Sequence, residues 1–153
     1  AQFLQMREAE GERLAADISE KRGRIAAYLV EIEKRSSENT AAHYQKMLQR
    51  IRQLLADSQA AVEEGRLLTE CAVFADKTAV DEETVRLRSH LHAFDAMLAE
   101  GGPVGRKLDF LLQEMNRETN TIGSKANDLE IAKLVIEIKS ELEKIREQIQ
   151  NIE

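Results

Sequence analysis

In "VDEETVRLRSH", Glu83, Arg86 and His90 recur at intervals of three and four, the spacing that sets side chains along one edge of an α-helix. Imidazole titrates near neutrality, so a histidine held between a carboxylate and a guanidinium has the means to act as a general acid or base. The plain alternative is a salt-bridged helix edge with a structural histidine. His92 faces elsewhere without such company, and His43, in "TAAHYQK", has no apparent partner.

A second constellation lies in "QEMNRETNTIGSKAND", residues 113 to 128. Asp109, Gln113, Asn116 and Asn120 fall at intervals of four, three and four, and Glu114, Arg117 and Thr121 form a second row beside them. Asn and Thr are weak helix formers because their side chains compete with the backbone, so their density has a cost that some other use must offset. One use is structural: amides and an Arg–carboxylate pair can satisfy buried polar groups where helices cross. The other is chemical: Asn, Arg and Lys can orient phosphates while Glu114 or Glu118 binds a hard divalent cation or moves a proton.

Other chemistries lack their signatures. There is no glycine-rich phosphate loop after a strand, no HExxH, no CxxC pair and no basic run interleaved with aromatics. Chemistry here falls to helix-borne carboxylates, His90 and cations, a set sufficient for metal-assisted phosphodiester cleavage.

The elements that must position these groups are helices. One proline, seven glycines, 4% aromatics and 33% charged residues among 153 predict an all-α chain with a thin aliphatic core. Leu14, Ile18, Ile25, Leu29 and Ile32 mark a first helix from about residue 2 to 35, with Lys21 in an expected apolar slot. "SSENT", residues 36 to 40, reads as a break. Met47, Leu48, Ile51, Leu54 and Leu55 predict a second helix ending near Ser58. Val62, Leu67, Leu68, Cys71, Ala72 and Phe74 form a third segment that continues the second or follows a kink.

Thr78 or Asp81 is the expected N-cap of the next helix, whose seam is Val80, Thr84, Leu87, Leu91, Phe94 and Leu98. "GGP", residues 101 to 103, should end it, with the proline in the following first turn. Leu108, Leu111, Leu112, Met115 and Ile122 line a helix starting near Gly105 and closed through Gly123, after which Asn127 or Asp128 caps the last helix. There Ile131, Val135, Ile138, Leu142, Ile145, Ile149 and Ile152 alternate strictly by four and three, the narrow stripe of a helix lying against another. The expected architecture is long antiparallel helical hairpins in a bundle with coiled-coil-like seams: an arm over residues 1–76 and a C-terminal bundle region over 77–153 in one continuous unit.

The formal charge of −6 argues against nonspecific adhesion to nucleic acid or anionic lipid, so any polyanion site must be local. A single cysteine, Cys71, permits no internal disulfide and reads as a buried thiol in a reducing compartment. With no signal-peptide pattern and no apolar run of membrane length, the expected location is cytoplasmic. The sequence begins in mid-pattern, as a piece of a longer chain would.

"GPVGRKLDFLLQEMNRETNTIGSKAND", the terminal "IREQIQNIE", "VDEETVRLRSH" and the opening "REAEGERLAADI" closely resemble the C-terminal region of the YicC/YloC-like family of bacterial proteins. Members are described as metal-dependent endoribonucleases that assemble as ring-like hexamers and enclose RNA. The resemblance therefore implies RNA as partner, Mn²⁺ or Mg²⁺ as cofactor, no organic cofactor, and a homo-oligomer. Glu82, Glu83, Arg86, His90, Glu114, Asn116, Arg117, Glu118, Asn120, Ser124 and Lys125 match the family's recurrent polar positions, and from their chemistry we assign Glu83, His90, Glu114 and Glu118 as expected catalytic residues, Glu82, Glu83, Glu114 and Glu118 as expected metal ligands, and Arg86, Asn116, Arg117, Asn120, Ser124 and Lys125 as expected RNA contacts. In relatives another half of the chain precedes the "REAEG"-like segment, and it could supply basic surface that this acidic piece lacks. The rival expectation is a noncatalytic oligomerisation scaffold or RNA-binding adaptor. Convergence of the polar rows on an open cleft would favour catalysis; rows sealed between helices and fully paired would favour the scaffold.

Overall fold

The computed structural model describes residues 2–58, 64–101 and 105–152. Among them the chain forms five helices and no strand: α1 (Gln2–Ser58), α2 (Glu64–Thr78), α3 (Asp81–Glu100), α4 (Gly105–Lys125) and α5 (Leu129–Ile152). The first half of α1 packs with α3, α4 and α5 around one aliphatic core. Ile18, Ile25, Leu29 and Ile32 from α1 meet Leu87, Leu91 and Phe94 from α3, Met115 and Ile122 from α4, and Ile131, Ile138 and Ile145 from α5. Each such side chain contributes about 1.5–3 kcal/mol on full burial. The strict stripe of α5 is thus consumed within the chain, against α1 and α4. Ile152 falls outside the residues whose side chains are described.

At 57 residues, α1 is about 85 Å long by the standard rise per residue. It outruns the bundle: beyond Ser36 no described residue of α1 is fully buried, and α2 packs against α1, with Leu67 and Cys71 buried and Phe74 meeting His43 of this second half. The expected break at "SSENT" does not occur. Ser36 is buried, Thr40 Oγ1 donates to the Ser36 carbonyl at 2.9 Å, and Asn39 Nδ2 donates to the Asp128 carboxylate. Residues that would cap or turn an isolated chain are held helical here because their side chains find partners on the helix and across the bundle. Lys21, in its apolar slot, reaches Asp17 at 2.7 Å. Val62, with the kink or continuation expected between the second and third segments, lies outside the described residues.

Two terminus expectations also change, at the start of α3 and the end of α4, while the glycine stop at residue 101 holds. Thr78 belongs to α2 and Asp81 opens α3; its N-cap position is Val80, which makes no side-chain cap bond. Asp81, Glu82 and Glu83 instead occupy the first turn, where carboxylates favour the positive end of the helix dipole. Gly101 ends α3 at φ 68°, a conformation glycine adopts without steric cost, while Pro103 is outside the described residues. Gly123 does not close α4, which runs on to Lys125. A Cβ at position 123 would meet Val135 Cγ1 at 3.2 Å, so this glycine lets α4 and α5 approach closely. The expected cap of α5 is correct: Asp128 Oδ1 accepts from the Glu130 and Ile131 amides at 2.8 and 3.0 Å. No helix among the described residues is long and apolar enough to cross a membrane.

Candidate functional site

Helices α3 and α4 run antiparallel, and their polar edges meet. Lys125 Nζ donates to Glu83 Oε1 at 2.6 Å, and Arg86 Nε donates to Glu118 Oε1 at 2.9 Å. The Arg86 guanidinium also lies 3.7 Å from Glu83 Oε1 and 3.6 Å from Glu82 Oε2. Pairing 83 with 125 and 86 with 118 fixes a register in which His90 falls opposite Glu114, one turn further along each helix.

The row of α4 that faces α3 is therefore Glu114, Glu118, Thr121 and Lys125, a four-three-four series. The row drawn from sequence through Glu114, Arg117 and Thr121 takes the wrong residue in the middle. Arg117 is exposed, and its carbonyl accepts from Thr121 Oγ1 at 3.1 Å. Glu118 stands out in sequence as a candidate carboxylate and Lys125 as the lysine of its stretch, but neither row drawn there joins them; the four-three-four spacing from Glu114 is the signal that sets both on one edge.

Burial within the cluster is uneven. Glu83 is 2% exposed and Glu118 8%, whereas the Arg86 and Lys125 side chains are 49% and 34% exposed. The acids thus lie sealed under half-exposed cations. Glu83 Oε2 is buried with no hydrogen-bond partner, an uncompensated polar atom of the kind that marks a ligand site or a missing partner. The hydrogen bond to Glu118 holds the Arg86 guanidinium above its ordinary pKa, outweighing burial, with the charges of Glu118, Glu83 and Glu82 adding to it. His90 and Glu114 are half-buried, and neither makes a side-chain hydrogen bond or ion pair with a described residue; Glu82 is exposed. His92 is exposed, and His43 is not alone, since its ring meets Phe74 of α2 edge-on at 6.1 Å.

The other expected positions divide between two faces of α4. Asn116 is half-buried beside α5, in a shallow cleft of about 80 Å³ with Gln113, Lys139 and Arg146. Asp109 accepts from Arg146 at 3.2 Å and from Gln113 at 3.2 Å. Asn120 and Ser124 join Arg117 on the outward face; Ser124 Oγ turns back to the Thr121 carbonyl at 3.0 Å. Of the expected site residues, Glu82, Glu83, Arg86, Glu118 and Lys125 come together, His90 and Glu114 border them, and Asn116, Arg117, Asn120 and Ser124 lie around the helix.

Among the described residues no group of three or more His, Cys, Asp or Glu is arranged to hold a metal ion by itself. Mg²⁺ is commonly held by one or two carboxylates with water and substrate phosphate completing the shell, and the orphaned Glu83 Oε2 beside Glu118 suits that sparse mode.

The chain is similar to named bacterial proteins over nearly its whole length. At 49% identity over 149 residues, the chain matches a protein of Clostridioides difficile (strain 630) named probable endoribonuclease YicC, covering 97% of this chain and 50% of that protein. A Haemophilus influenzae protein of the same name is 39% identical over 151 residues, covering 99% of this chain and 51% of the relative. The chain thus spans about half the length of the curated relatives it matches. Residues 32–153, which include all of α2 to α5 and every residue of the cluster, match the family described as endoribonuclease YicC-like, C-terminal, and the chain belongs to that family.

Proposed function

We propose that this chain is the C-terminal helical part of an endoribonuclease, a hydrolase of RNA phosphodiester bonds, and that RNA is handled at the α3–α4 seam. The observation that carries the reading is the convergence of Glu83, Arg86, Glu118 and Lys125 from two helices onto one edge. The relatives' names supply the reaction class.

Phosphodiester cleavage needs positive charge at the phosphate oxygens, a base for the attacking oxygen and an acid for the leaving one. Arg86 and Lys125 provide the charge: each is anchored on a buried carboxylate and keeps an accessible face. His90 and Glu114, opposite one another in the register and without a side-chain hydrogen bond or ion pair among the described residues, are the groups we assign to proton transfer. Glu83 and Glu118 fix the two cations, and they are the residues that would hold Mn²⁺ or Mg²⁺, whose chemistry when bound is to neutralise phosphate charge and acidify water. Asn116, Arg117, Asn120 and Ser124 guide the strand beside the seam. Homo-oligomeric assembly, as a hexamer, belongs to the same proposal.

A second reading is favoured by one specific observation: the acids are sealed and mostly paired, as in an interhelical polar lock of a noncatalytic scaffold. Cleavage of labelled RNA by the full-length protein, with and without chelator, separates the two. The nuclease reading expects cutting that chelator abolishes and metal restores, and that falls sharply in Glu114→Gln and His90→Ala variants that remain folded. A pure, folded wild type that cuts no RNA leaves the scaffold.

A further inference from the structure

The outward face of α4 carries a feature that the seam does not use. Arg106, Phe110, Gln113, Arg117, Asn120 and Ser124 follow intervals of four, three, four, three and four. All six are exposed, with Phe110 at 60%. An aromatic ring this open on an otherwise polar helix face contributes nothing to the core and carries a cost in water. The row holds two arginines and no acid, on a chain whose formal charge is −6. Each acid of α4 is turned aside: Asp109 binds Arg146, Glu118 binds Arg86, and Glu114 is half-buried toward α3. Lys139 and Arg146 of α5 edge the neighbouring cleft beside Gln113 and Asn116, adding cations to the same side, with Glu143 as its one acid.

We infer that this outward row is a binding track for single-stranded RNA, in which Phe110 stacks on a base and Arg106 and Arg117 hold the flanking phosphates. The inference rests on the endoribonuclease reading for the identity of the polymer, and deepens it by naming how an unpaired strand is held. Aromatic rings interleaved with cations along a groove are the common solution for unpaired strands, because every base has a face to stack and every nucleotide a phosphate to neutralise. Phe110 and Arg117 are two helical turns apart, about 10 Å along the axis. Arg117 and Asn120 flank Glu118 and Thr121 around the helix, so a strand on this row lies alongside the α3–α4 seam.

These 153 residues contain no tryptophan, so Phe110→Trp in this chain places a single reporter in the row. Titration with an unstructured single-stranded RNA is expected to quench that fluorescence, with binding retained by anisotropy of labelled RNA because the ring is kept. Phe110→Ala should weaken binding by about 5- to 100-fold, with Phe110→Leu no better, since a stacked base requires a ring. Arg117→Ala should lower the slope of log affinity against log salt by about one. RNA binding that persists unchanged in Phe110→Ala, with an unquenched Phe110→Trp, overturns the track but leaves the nuclease standing. Fluorescence that shifts with protein concentration in the absence of RNA also overturns it, because Phe110 would then be covered by a second copy. Quenched binding without any cleavage by the full-length protein supports the track and removes the nuclease.

Discussion

Lys125 Nζ lies 2.6 Å from Glu83 Oε1, tying the last turn of α4 to the first turn of α3 across 42 residues of sequence. Each charge sits at the helix end that favours it: the carboxylate near the positive end of α3, the ammonium near the negative end of α4. Lys125→Ala would leave a carboxylate that is 2% exposed with only the more distant Arg86 beside it. Breaking a pair around a buried charge is strongly destabilising; because Lys125 is itself partly exposed, we expect about 1–3 kcal/mol by denaturant unfolding. Loss of less than a few tenths would mean that Glu83 does not depend on this contact.

Asp128 ties α5 to α1. Burial pushes its carboxyl upward, but hydrogen bonds from Arg35, the Ile131 amide and Asn39 outweigh that and lower it from 3.8 to about 2. A folded-state pKa below the unfolded one gives stability that is present above the unfolded value and lost as pH falls through the folded value. This contribution should therefore persist above pH 4 and disappear toward pH 2. Asp128→Ala should cost about 1–3 kcal/mol at neutral pH from the lost cap and cross-helix bonds, and the gap to wild type should close in acid. An equal gap at both ends would contradict the assignment.

Gly123 faces Val135, with a methyl expected to meet Cγ1 at 3.2 Å. Alanine gains about 1 kcal/mol in helix propensity over glycine, while the β-branched Val135 has little rotamer freedom to yield. The two effects should nearly cancel in Gly123→Ala, and the propensity gain should emerge in a Val135→Ala background. Thermal unfolding of the four members of this cycle measures it; equal effects of Gly123→Ala in both backgrounds would show that the helices are not in contact there.

Continuity of α1 through residues 36 to 40 can be probed with Glu38→Pro at an exposed site. A proline inside a helix costs about 3 kcal/mol or more, and it should also loosen the Asn39 and Arg35 bonds to Asp128. A chain that turned at "SSENT" would tolerate it.

The seams were legible because burial imposes a period. Leu87, Leu91 and Phe94, and Ile131 through Ile149, appear where the alternation put them. Capping at Asp128 was legible from residue type alone. What failed was local chemistry overridden by distant partners: Ser36, Asn39 and Thr40 look like a turn until Asp128, nearly ninety residues away, accepts Asn39. Gly123 resembles a helix stop until Val135 is set against it. In the candidate site, Glu83 and Arg86 could be aligned on one helix, but their partners could not be chosen without the α3–α4 register. Several rows of α4 were polar, and periodicity alone gave no reason to prefer Glu118 over Arg117. Phe110, beside Leu111 and Leu112, reads in sequence as one more core residue, and only the register of α4 turns it outward.

The central claim is that the α3–α4 seam acts on RNA instead of only joining two helices. Single-turnover cleavage of labelled RNA by the full-length protein carrying Glu118→Gln, with its unfolding midpoint and RNA affinity measured in parallel, addresses it most directly. The substitution keeps the shape and a hydrogen-bond acceptor for Arg86 but removes the charge. The account predicts a folded protein that still binds RNA and cleaves it about 100-fold more slowly, the scale of losing one preorganised electrostatic contact to a reacting group. Cleavage at the wild-type rate by a folded, RNA-bound Glu118→Gln protein would contradict it.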